Sequence, residues 1–471
     1  MKRADQALLS TAFAETGLSH AAVRTLHSDH VEHVERATET EPNASSLREC
    51  HDCGLFQSLS TVPHGGTAHC VRCAARLTQA RRHSVALSAL ASALGLALFA
   101  VCPFLPLASG VMNGGRFTVS YLFTGPERLA DHGAWELSVA VLLTLLVLPI
   151  AKLSLVMAMA TALWLGHVPH WLKWSFGWLP WVSRWGMVDV FLLGSMIALT
   201  RLQAWMQVSF GPALFAFGGV ALCSLTVDAA LDRPAFWRAV PWARAAPAAG
   251  ALHGCHGCDL VIQAHRGSRC PRCGHRLSER KGASFRRTWA FVATAALLAI
   301  PANVWPVMTI TKLGRGGPST ILGGTAELAQ HGFLGLACLV FVASILVPIA
   351  KLASLVVLLI TAQRGSQSNL VLRTRLFRVV DRIGRWSMLD IFATMTLVAL
   401  ARFGWLGNVL PDDGAIAFCG VVLLTLLASD AFDPRLMWDA AGRNPQPRAE
   451  RAASLLRRDA RAPDGASWGA N

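Results

Sequence analysis

The chain has 471 residues, of which 53% are hydrophobic and 15% are charged, with a mean hydropathy of +0.42 and a formal net charge of +15. Soluble domains carry about 25% charged residues, so this composition excludes an ordinary soluble enzyme and predicts several membrane spans. The basic residues lie beside the apolar segments rather than in one patch. That distribution is typical of loops that orient a membrane protein and argues against nucleic-acid binding.

Two cysteine clusters, one in each half, predict metal centres. Residues 1–47 are polar and without periodicity, and are predicted to be a disordered N-terminal extension. The clusters follow at 48–80 and 250–281, each with two CxxC pairs, separated by sixteen residues in the first and eleven in the second. Their cysteines are Cys50, Cys53, Cys70, Cys73, Cys255, Cys258, Cys270 and Cys273. Four thiolates at this spacing predict a zinc-ribbon head with a structural Zn²⁺, with rubredoxin-like iron and redox-active CxxC pairs as alternatives.

Apolar runs predict four helices in each of two membrane blocks, 81–232 and 282–440. In the first block they cover 84–107, 134–165, 184–205 and 211–231, and in the second 287–309, 332–362, 385–407 and 413–432. Each is near or above the ~20 residues that a helix needs to cross a bilayer. Residues 233–249 are predicted to be a linker, and residues 441–471 a disordered basic tail.

The two halves repeat one another. The segment Leu148–Leu153 recurs as Val347–Leu352, and Arg184–Phe191 recurs as Arg385–Phe392, with an offset that drifts only from 199 to 202. The predicted fold is therefore an α-helical polytopic membrane protein with eight transmembrane helices. It arises by duplication of a zinc-ribbon head followed by four helices.

The lysines and arginines predict the orientation. They are abundant in 232–287, in 363–385 and in the tail, and sparse in 108–133 and 310–331. By the positive-inside rule, both termini and both heads are expected in the cytoplasm.

Charged residues inside the predicted spans are candidates for function. Lys152 and Lys351 lie within the second span of each block, and Asp189 and Asp390 lie near the start of the third. Each charge costs roughly 2.5–3.5 kcal/mol at mid-membrane. From their depths, each lysine is predicted to pair with the aspartate of its own half. Such pairs either pin helices or carry protons or substrate.

Other polar residues belong to the same predicted network. They are Ser344, Ser387 and Thr425, although a hydroxyl in a helix also bonds readily to its own backbone. Pro149 and Pro348, three residues before the lysines, predict kinks. Because the second half has more hydroxyls, the working site is expected there.

Two further motifs accompany the paired CxxC motifs and the repeated segments, namely Asn303–Met308 and the closing run Phe432–Asp439. Together, these motifs resemble those of the paraquat-inducible protein A family over about 48–440. In the first half, Cys102–Pro106 departs from the motif seen at 303–308. The resemblance implies a multi-pass protein of the Gram-negative inner membrane. It also implies proton-driven lipid movement between inner and outer membranes, with an MCE-domain partner that forms a periplasmic tunnel.

Two other functions remain open from the residues themselves. One is a membrane redox protein with four-cysteine iron centres, and the other is a membrane scaffold that does not transport. No nucleotide-binding motif is present, which argues against an ATP-driven machine, and no enzymatic activity is predicted.

Overall fold

The computed structural model describes most of the chain between its two ends. The described residues are 46–59, 62–63, 65–79, 84–112, 116–203, 207–240, 251–265, 267–312, 315–330, 332, 334–400 and 407–442. The predicted N-terminal extension, apart from Ser46 and Leu47, and the predicted tail beyond Gly442 lie outside these residues.

The first head consists of two short antiparallel hairpins. Its strands are β1 (Ser46–Glu49), β2 (Phe56–Leu59), β3 (Thr67–His69) and β4 (Arg76–Gln79), and β1 pairs with β2 and β3 with β4. One CxxC pair lies in the turn of each hairpin. The turns thereby bring the four cysteines together.

The first membrane block has four long apolar helices. We call them span 1 (Ser84–Phe104), span 2 (Trp135–Trp164), span 3 (Leu179–Thr200) and span 4 (Pro212–Ala230). Shorter helices cover Thr124–Asp131, His170–Gly177 and Arg233–Ala239. Strands β5 (Ala108–Met112), β6 (Arg116–Ser120) and β7 (Gln207–Phe210) form an antiparallel sheet in the order β6-β5-β7.

The second half repeats this arrangement. Its head has strands β8 (Ala251–Gly254) and β9 (Val261–Ala264) and a β-bridge between Arg269 and Arg276. Its helices are span 5 (Ser284–Val304), span 6 (Ala337–Gln363), span 7 (Leu370–Leu400) and span 8 (Asp413–Ala431), with shorter helices Ile321–Gln330 and Arg435–Ala440. Strands β10 (Met308–Lys312), β11 (Arg315–Ser319) and β12 (Gly407–Pro411) form a sheet in the order β11-β10-β12.

The predicted fold class is confirmed. Within the described ranges, eight helices are long and apolar enough to cross a membrane, four in each half. Span 7 begins well before the predicted start, because the arginine-rich segment 370–384 is helical and continues into it. The segment predicted as a linker begins with the helix Arg233–Ala239, whose Phe236 and Trp237 are buried.

Spans 3 and 7 pack against each other where the two halves meet. A Cβ atom on Gly194 would lie 2.8 Å from the carbonyl oxygen of Leu389, so the two backbones approach closely. Next to this contact, the hydroxyls of Ser195 and Thr396 are 3.1 Å apart. The centre of the molecule thus depends on a small residue at position 194.

Each head packs on the membrane block of the other half. Arg378, at the start of span 7, donates to Asp52 (2.6 Å) and to the carbonyl of Cys73 (2.8 Å) in the first head. Arg233, after span 4, donates to the carbonyl of Gly257 in the second head at 2.9 Å. The second head also places His275 against Trp174 of the first block, with ring centroids 5.9 Å apart. The halves are therefore joined by heads that contact the opposite block, and the end of the second head also bonds to its own block, where Arg280 donates to Asp439 at 2.6 Å.

The two heads also contact one another through a polar interface. Glu49 accepts from the backbone N–H of Gly254 (3.1 Å) and from Arg435 (2.9 Å). His51 of the first head pairs with Asp259 of the second at 3.1 Å, and this carboxylate raises the pKa of His51. Burial, followed by the charge of Arg435, lowers the pKa of His256 to about 4. The heads thus form one unit.

Candidate functional site

The four cysteines of each head converge on a point that a metal ion could occupy. In the first head, the Sγ atoms of Cys50 and Cys73 are 3.6 Å apart, as are those of Cys53 and Cys70. In the second head, the Cys255–Cys273 and Cys258–Cys270 distances are 3.4 and 3.6 Å. Ligands at 2.3 Å in a tetrahedron lie about 3.8 Å apart. Each buried cluster therefore fits one four-coordinate metal ion.

All four CxxC turns have the same backbone form. The residue after the second cysteine has a left-handed conformation in each, with φ of 69° at Gly54, 56° at Ala74, 59° at Asp259 and 76° at Gly274. At the first turn, the N–H of Gly54 donates to the carbonyl of Cys50 at 2.9 Å. From the sequence, this turn could be predicted only at Gly54 and Gly274, because glycine readily adopts a left-handed conformation. A site closed by four thiolates has no open coordination position, so its chemistry is structural rather than catalytic.

Lys152 lies buried in span 2 and is fully paired. Its ammonium is 2.8 Å from a carboxylate oxygen of Asp228 and donates to the hydroxyl of Ser224 at 2.8 Å and to that residue's carbonyl at 3.3 Å. Both partners are in span 4, four residues apart and hence on one helix face. This lysine therefore joins spans 2 and 4.

The predicted pairing of Lys152 with Asp189 is wrong. The prediction used depth alone, and depth along a helix does not determine which neighbouring helix a side chain faces. Asp189 lies half-buried in the first turn of the helix Val188–Gln203. Span 4, with Asp228, provides the carboxylate instead.

Lys351, at the equivalent position of span 6, is just as buried, with 3% of its surface exposed. Its ammonium has no hydrogen-bond partner among the described residues, so the expected bond to Asp390 is absent. A Cβ atom on Gly384 would lie 2.6 Å from the Lys351 nitrogen, which places the ammonium against the backbone of span 7. The position equivalent to Ser224 is Leu426, which offers no side-chain acceptor.

Two predicted hydroxyls share this lack of partners. Ser344 and Ser387 are 4% and 2% exposed, and neither hydroxyl oxygen has a hydrogen-bond partner in the described part of the chain. The segments that carry them, Val342–Leu346 and Arg385–Met388, contact each other. Buried polar groups are normally paired, so two unpaired hydroxyls in contacting segments, one of them seven residues before Lys351 in span 6, point to a functional site.

Next to the two prolines for which kinks are predicted, the helices contain π-helical turns. Leu143–Val147 and Val342–Leu346 are π-helical and end just before the turns that contain Pro149 and Pro348. Proline cannot donate to a carbonyl in the preceding turn. In the first half, the carbonyl of Thr144 instead accepts from the N–H of Met187 in span 3, at 3.2 Å.

The two halves differ at the residue that follows Trp185 in span 3 and Trp386 in span 7. Gly186 is extended, with φ of −76° and ψ of 113°, and interrupts span 3. Its counterpart Ser387 lies in a 3₁₀ turn that continues into the helix of span 7. The second half therefore has an unbroken helix and a buried hydroxyl at this point.

The remaining predicted polar residues take more ordinary positions. Thr425 is fully buried, but its hydroxyl donates to the carbonyl of Val422 in its own helix at 2.9 Å. Asp390 lies half-buried in the first turn of the helix Leu389–Leu400. The structure brings the segments of Ser344 and Ser387 into contact and places Lys351 against Gly384, three residues before Ser387, whereas Thr425 is satisfied locally.

Sequence reasoning missed two functional pairings. Asp228 and Asp430 are equivalent residues of the repeat, yet the first binds Lys152 and the second binds Arg184 of span 3. Asp430 also accepts from the indole N–H of Trp185 at 3.0 Å. Their recurrence near the ends of spans 4 and 8 was the available signal.

Comparison with known proteins relates the chain to transport proteins. It is 29% identical over 404 residues to "Intermembrane transport protein PqiA" of Escherichia coli strain K12, covering 83% of this chain and 95% of the relative. It is 28% identical over 414 residues to "Lipophilic envelope-spanning tunnel protein A" of the same strain, covering 86% and 94%. A "Probable intermembrane transport protein" of Haemophilus influenzae is 25% identical over 405 residues, covering 83% and 95%. No solved structure matches the chain significantly.

The family model for paraquat-inducible protein A matches the chain twice. The matches cover residues 85–241 and 285–442, which are the two membrane blocks and the short helices that follow them. This double match agrees with the duplication seen in the sequence and in the structure. The chain is a multi-pass membrane protein that belongs to the paraquat-inducible protein A family.

Proposed function

We propose that this chain is the inner-membrane component of a system that moves lipids between the inner and outer membranes of a bacterium. The names of its relatives support intermembrane transport and, for one of them, an envelope-spanning tunnel. We further propose an MCE-domain protein as the periplasmic partner that forms the tunnel. No catalytic role is proposed.

The observation that carries the proposal is the buried, unpaired ammonium of Lys351, together with the two buried, unpaired hydroxyls of Ser344 and Ser387. A lone charge in a membrane helix is costly, and residues of this kind mark substrate or proton pathways. A lysine that only pinned helices would be paired, as Lys152 is. We therefore place the working site in the second half.

In this proposal, Lys351 binds a proton or an anionic headgroup during each transport cycle, and Ser344 and Ser387 supply hydrogen bonds to the bound group. Asp390 and Thr425 line the path around this core. In the first half, Lys152 and Asp189 have a supporting role. The Lys152–Asp228 pair holds spans 2 and 4 together while the second half moves.

We propose that both heads hold zinc and lie in the cytoplasm with both termini. The four-cysteine geometry fits zinc, and the metal would supply the folding energy of a head too small to form a large core. The interlocked heads would then keep the two blocks in register. If the heads held iron instead, a membrane redox protein would be favoured over a lipid transporter. However, the eight spans contain no histidine that could bind haem.

The test is the variant Lys351→Met, measured for lipid transfer and for protein abundance in the membrane. Methionine is close to the lysine stem in volume and removes the uncompensated charge, so we expect normal or higher abundance and loss of transport. The control is Ile349→Met, two residues away on the exposed surface of the same helix, which is expected to transport normally. A Lys351→Met protein that is abundant and fully active would refute this site.

A further inference from the structure

The duplication allows one half to serve as a control for the other. Lys152 and Asp228 form an ion pair in the first half, and their counterparts in the second half are Lys351 and Asp430. If the halves behaved alike, Lys351 would pair with Asp430. It does not, although both residues are present.

The carboxylate of Asp430 is occupied by residues of the other half. Arg184 forms an ion pair with one of its oxygens, and the Trp185 indole donates to the other. Both donors belong to span 3, whereas Asp430 belongs to span 8. Lys281 reaches only the backbone carbonyl of Asp430. Arg184 and Trp185 thus hold both oxygens of the carboxylate that would otherwise serve Lys351.

Lys351 and Arg184 compete for the same negative charge. A Cβ atom on Gly384 would lie 2.6 Å from the Lys351 nitrogen and 3.4 Å from the Leu426 side chain. Lys351 therefore lies within about one helical turn of both Asp381 and Asp430, and Arg184 contacts Asp430. Asp381 has no counterpart in the first half, where Pro180 occupies the equivalent position. A guanidinium binds a carboxylate through several fixed donors, which favours Arg184 over a flexible ammonium.

We propose that Arg184 is a positioning residue that takes Asp430 from Lys351 and so leaves this ammonium available for transport. Trp185 supports it by holding the second carboxylate oxygen. When Arg184 releases Asp430, the carboxylate pairs with Lys351 and the second half adopts the paired state seen in the first. The competition between Arg184 and Lys351 for Asp430 does not depend on the proposed function, whereas its role in transport rests on that function.

The test is zero-length cross-linking with a water-soluble carbodiimide on the full-length protein in detergent, followed by peptide mass spectrometry. The reagent activates a carboxylate, and a lysine in contact with it attacks to form an amide and release a urea. In the wild type we expect the Lys152–Asp228 amide, which is the internal positive control, and background levels of Lys351–Asp430 amide. In Arg184→Gln, we expect the Lys351–Asp430 product to rise by about tenfold, equivalent to ~1.4 kcal/mol in favour of pairing.

Three variants make the result specific. Arg385→Gln changes the counterpart of Arg184 in the second half and is expected to leave both products at wild-type levels. Arg184→Lys keeps the charge and is expected to keep the Lys351–Asp430 product low. Trp185→Phe removes one donor without changing charge, so it is expected to give an intermediate rise even if Arg184→Gln folds poorly.

Two results would overturn the proposal. One is a wild-type protein in which Lys351–Asp430 forms as readily as Lys152–Asp228. The other is a background level of Lys351–Asp430 in both Arg184→Gln and Trp185→Phe while the control product forms normally. A rise in cross-linking with unchanged lipid transfer would instead leave the positioning role intact and refute the role of Lys351 in transport.

Discussion

Arg435 joins three parts of the molecule through one buried guanidinium, 3% exposed. It donates to Asp433 at 3.0 Å and to Glu49 of the first head at 2.9 Å, and it lies 3.2 Å from His256 of the second head. Its two carboxylate partners are themselves largely buried. Loss of this one side chain would leave the buried carboxylate of Asp433 without its guanidinium partner and would weaken the compensation of Glu49, which Arg280 also contacts at 3.4 Å.

We therefore predict that Arg435→Met destabilises the protein by roughly 3–5 kcal/mol, the usual cost of breaking a buried ion pair from one side. The measurement is the thermal unfolding midpoint of the purified protein in detergent. Arg382→Met, at an exposed position of the helix Leu370–Gly384, serves as the control and is expected to change little. Equal stability of the two variants would contradict the prediction.

At the residue scale, the sequence predicted which side chains would be buried but not all of their partners. Lys152, Lys351, Ser344 and Ser387 are as buried as their position in apolar runs required. The partners of Lys152, Ser224 and Asp228, lie 72 and 76 residues away in another helix, and their choice depends on how the helices are rotated about their axes. No periodicity within one span contains that information.

At the element scale, the contact between spans 3 and 7 tests whether the halves form one unit. At Gly194, a new Cβ would meet the carbonyl of Leu389 at 2.8 Å and the Cβ of Phe392 at 3.0 Å, so backbone would have to move. We predict that Gly194→Val costs about 1–3 kcal/mol through overpacking. In Gly218→Val, the new side chain begins in open space within span 4, so stability is expected to hold. Unfolding midpoints of the two variants make the comparison, and equal midpoints would show that the close contact is unimportant.

Hydropathy predicted the spans well because a bilayer requires about 20 apolar residues in each. It could not predict the π-helical turns, since these depend on a missing proline N–H and, in the first half, on a backbone donor from a neighbouring span. It also missed the sheets β5–β7 and β10–β12, whose third strands come from about 100 residues further along the chain. Both features are set by contacts between distant segments.

At the scale of the whole molecule, the orientation in the membrane is the first prediction. We expect Gly316→Cys, in β11, to react with an impermeant thiol reagent in intact spheroplasts, and Gln367→Cys, between spans 6 and 7, to be protected until the membrane is opened. Both are placed in a Cys338→Ala background, because Cys338 is exposed among the described free cysteines. Protection of the first position and labelling of the second would invert the topology.

The exchange of heads gives the last prediction, because the sequence order alone would place each head on its own block. Arg378 belongs to the second half but holds the first head, and Arg233 belongs to the first half but holds the second head. Hydrogen bonds from a charged group contribute roughly 1.5–3 kcal/mol, so their loss should loosen the head at least ~10-fold.

We predict that Arg378→Glu accelerates metal loss to a chelator, followed by alkylation of Cys50, Cys53, Cys70 and Cys73 and not of the second set. Arg233→Glu is expected to expose Cys255, Cys258, Cys270 and Cys273 instead. Mass spectrometry of alkylated peptides distinguishes the two sets, and the reverse assignment would show that each head rests on the block that follows it in the chain.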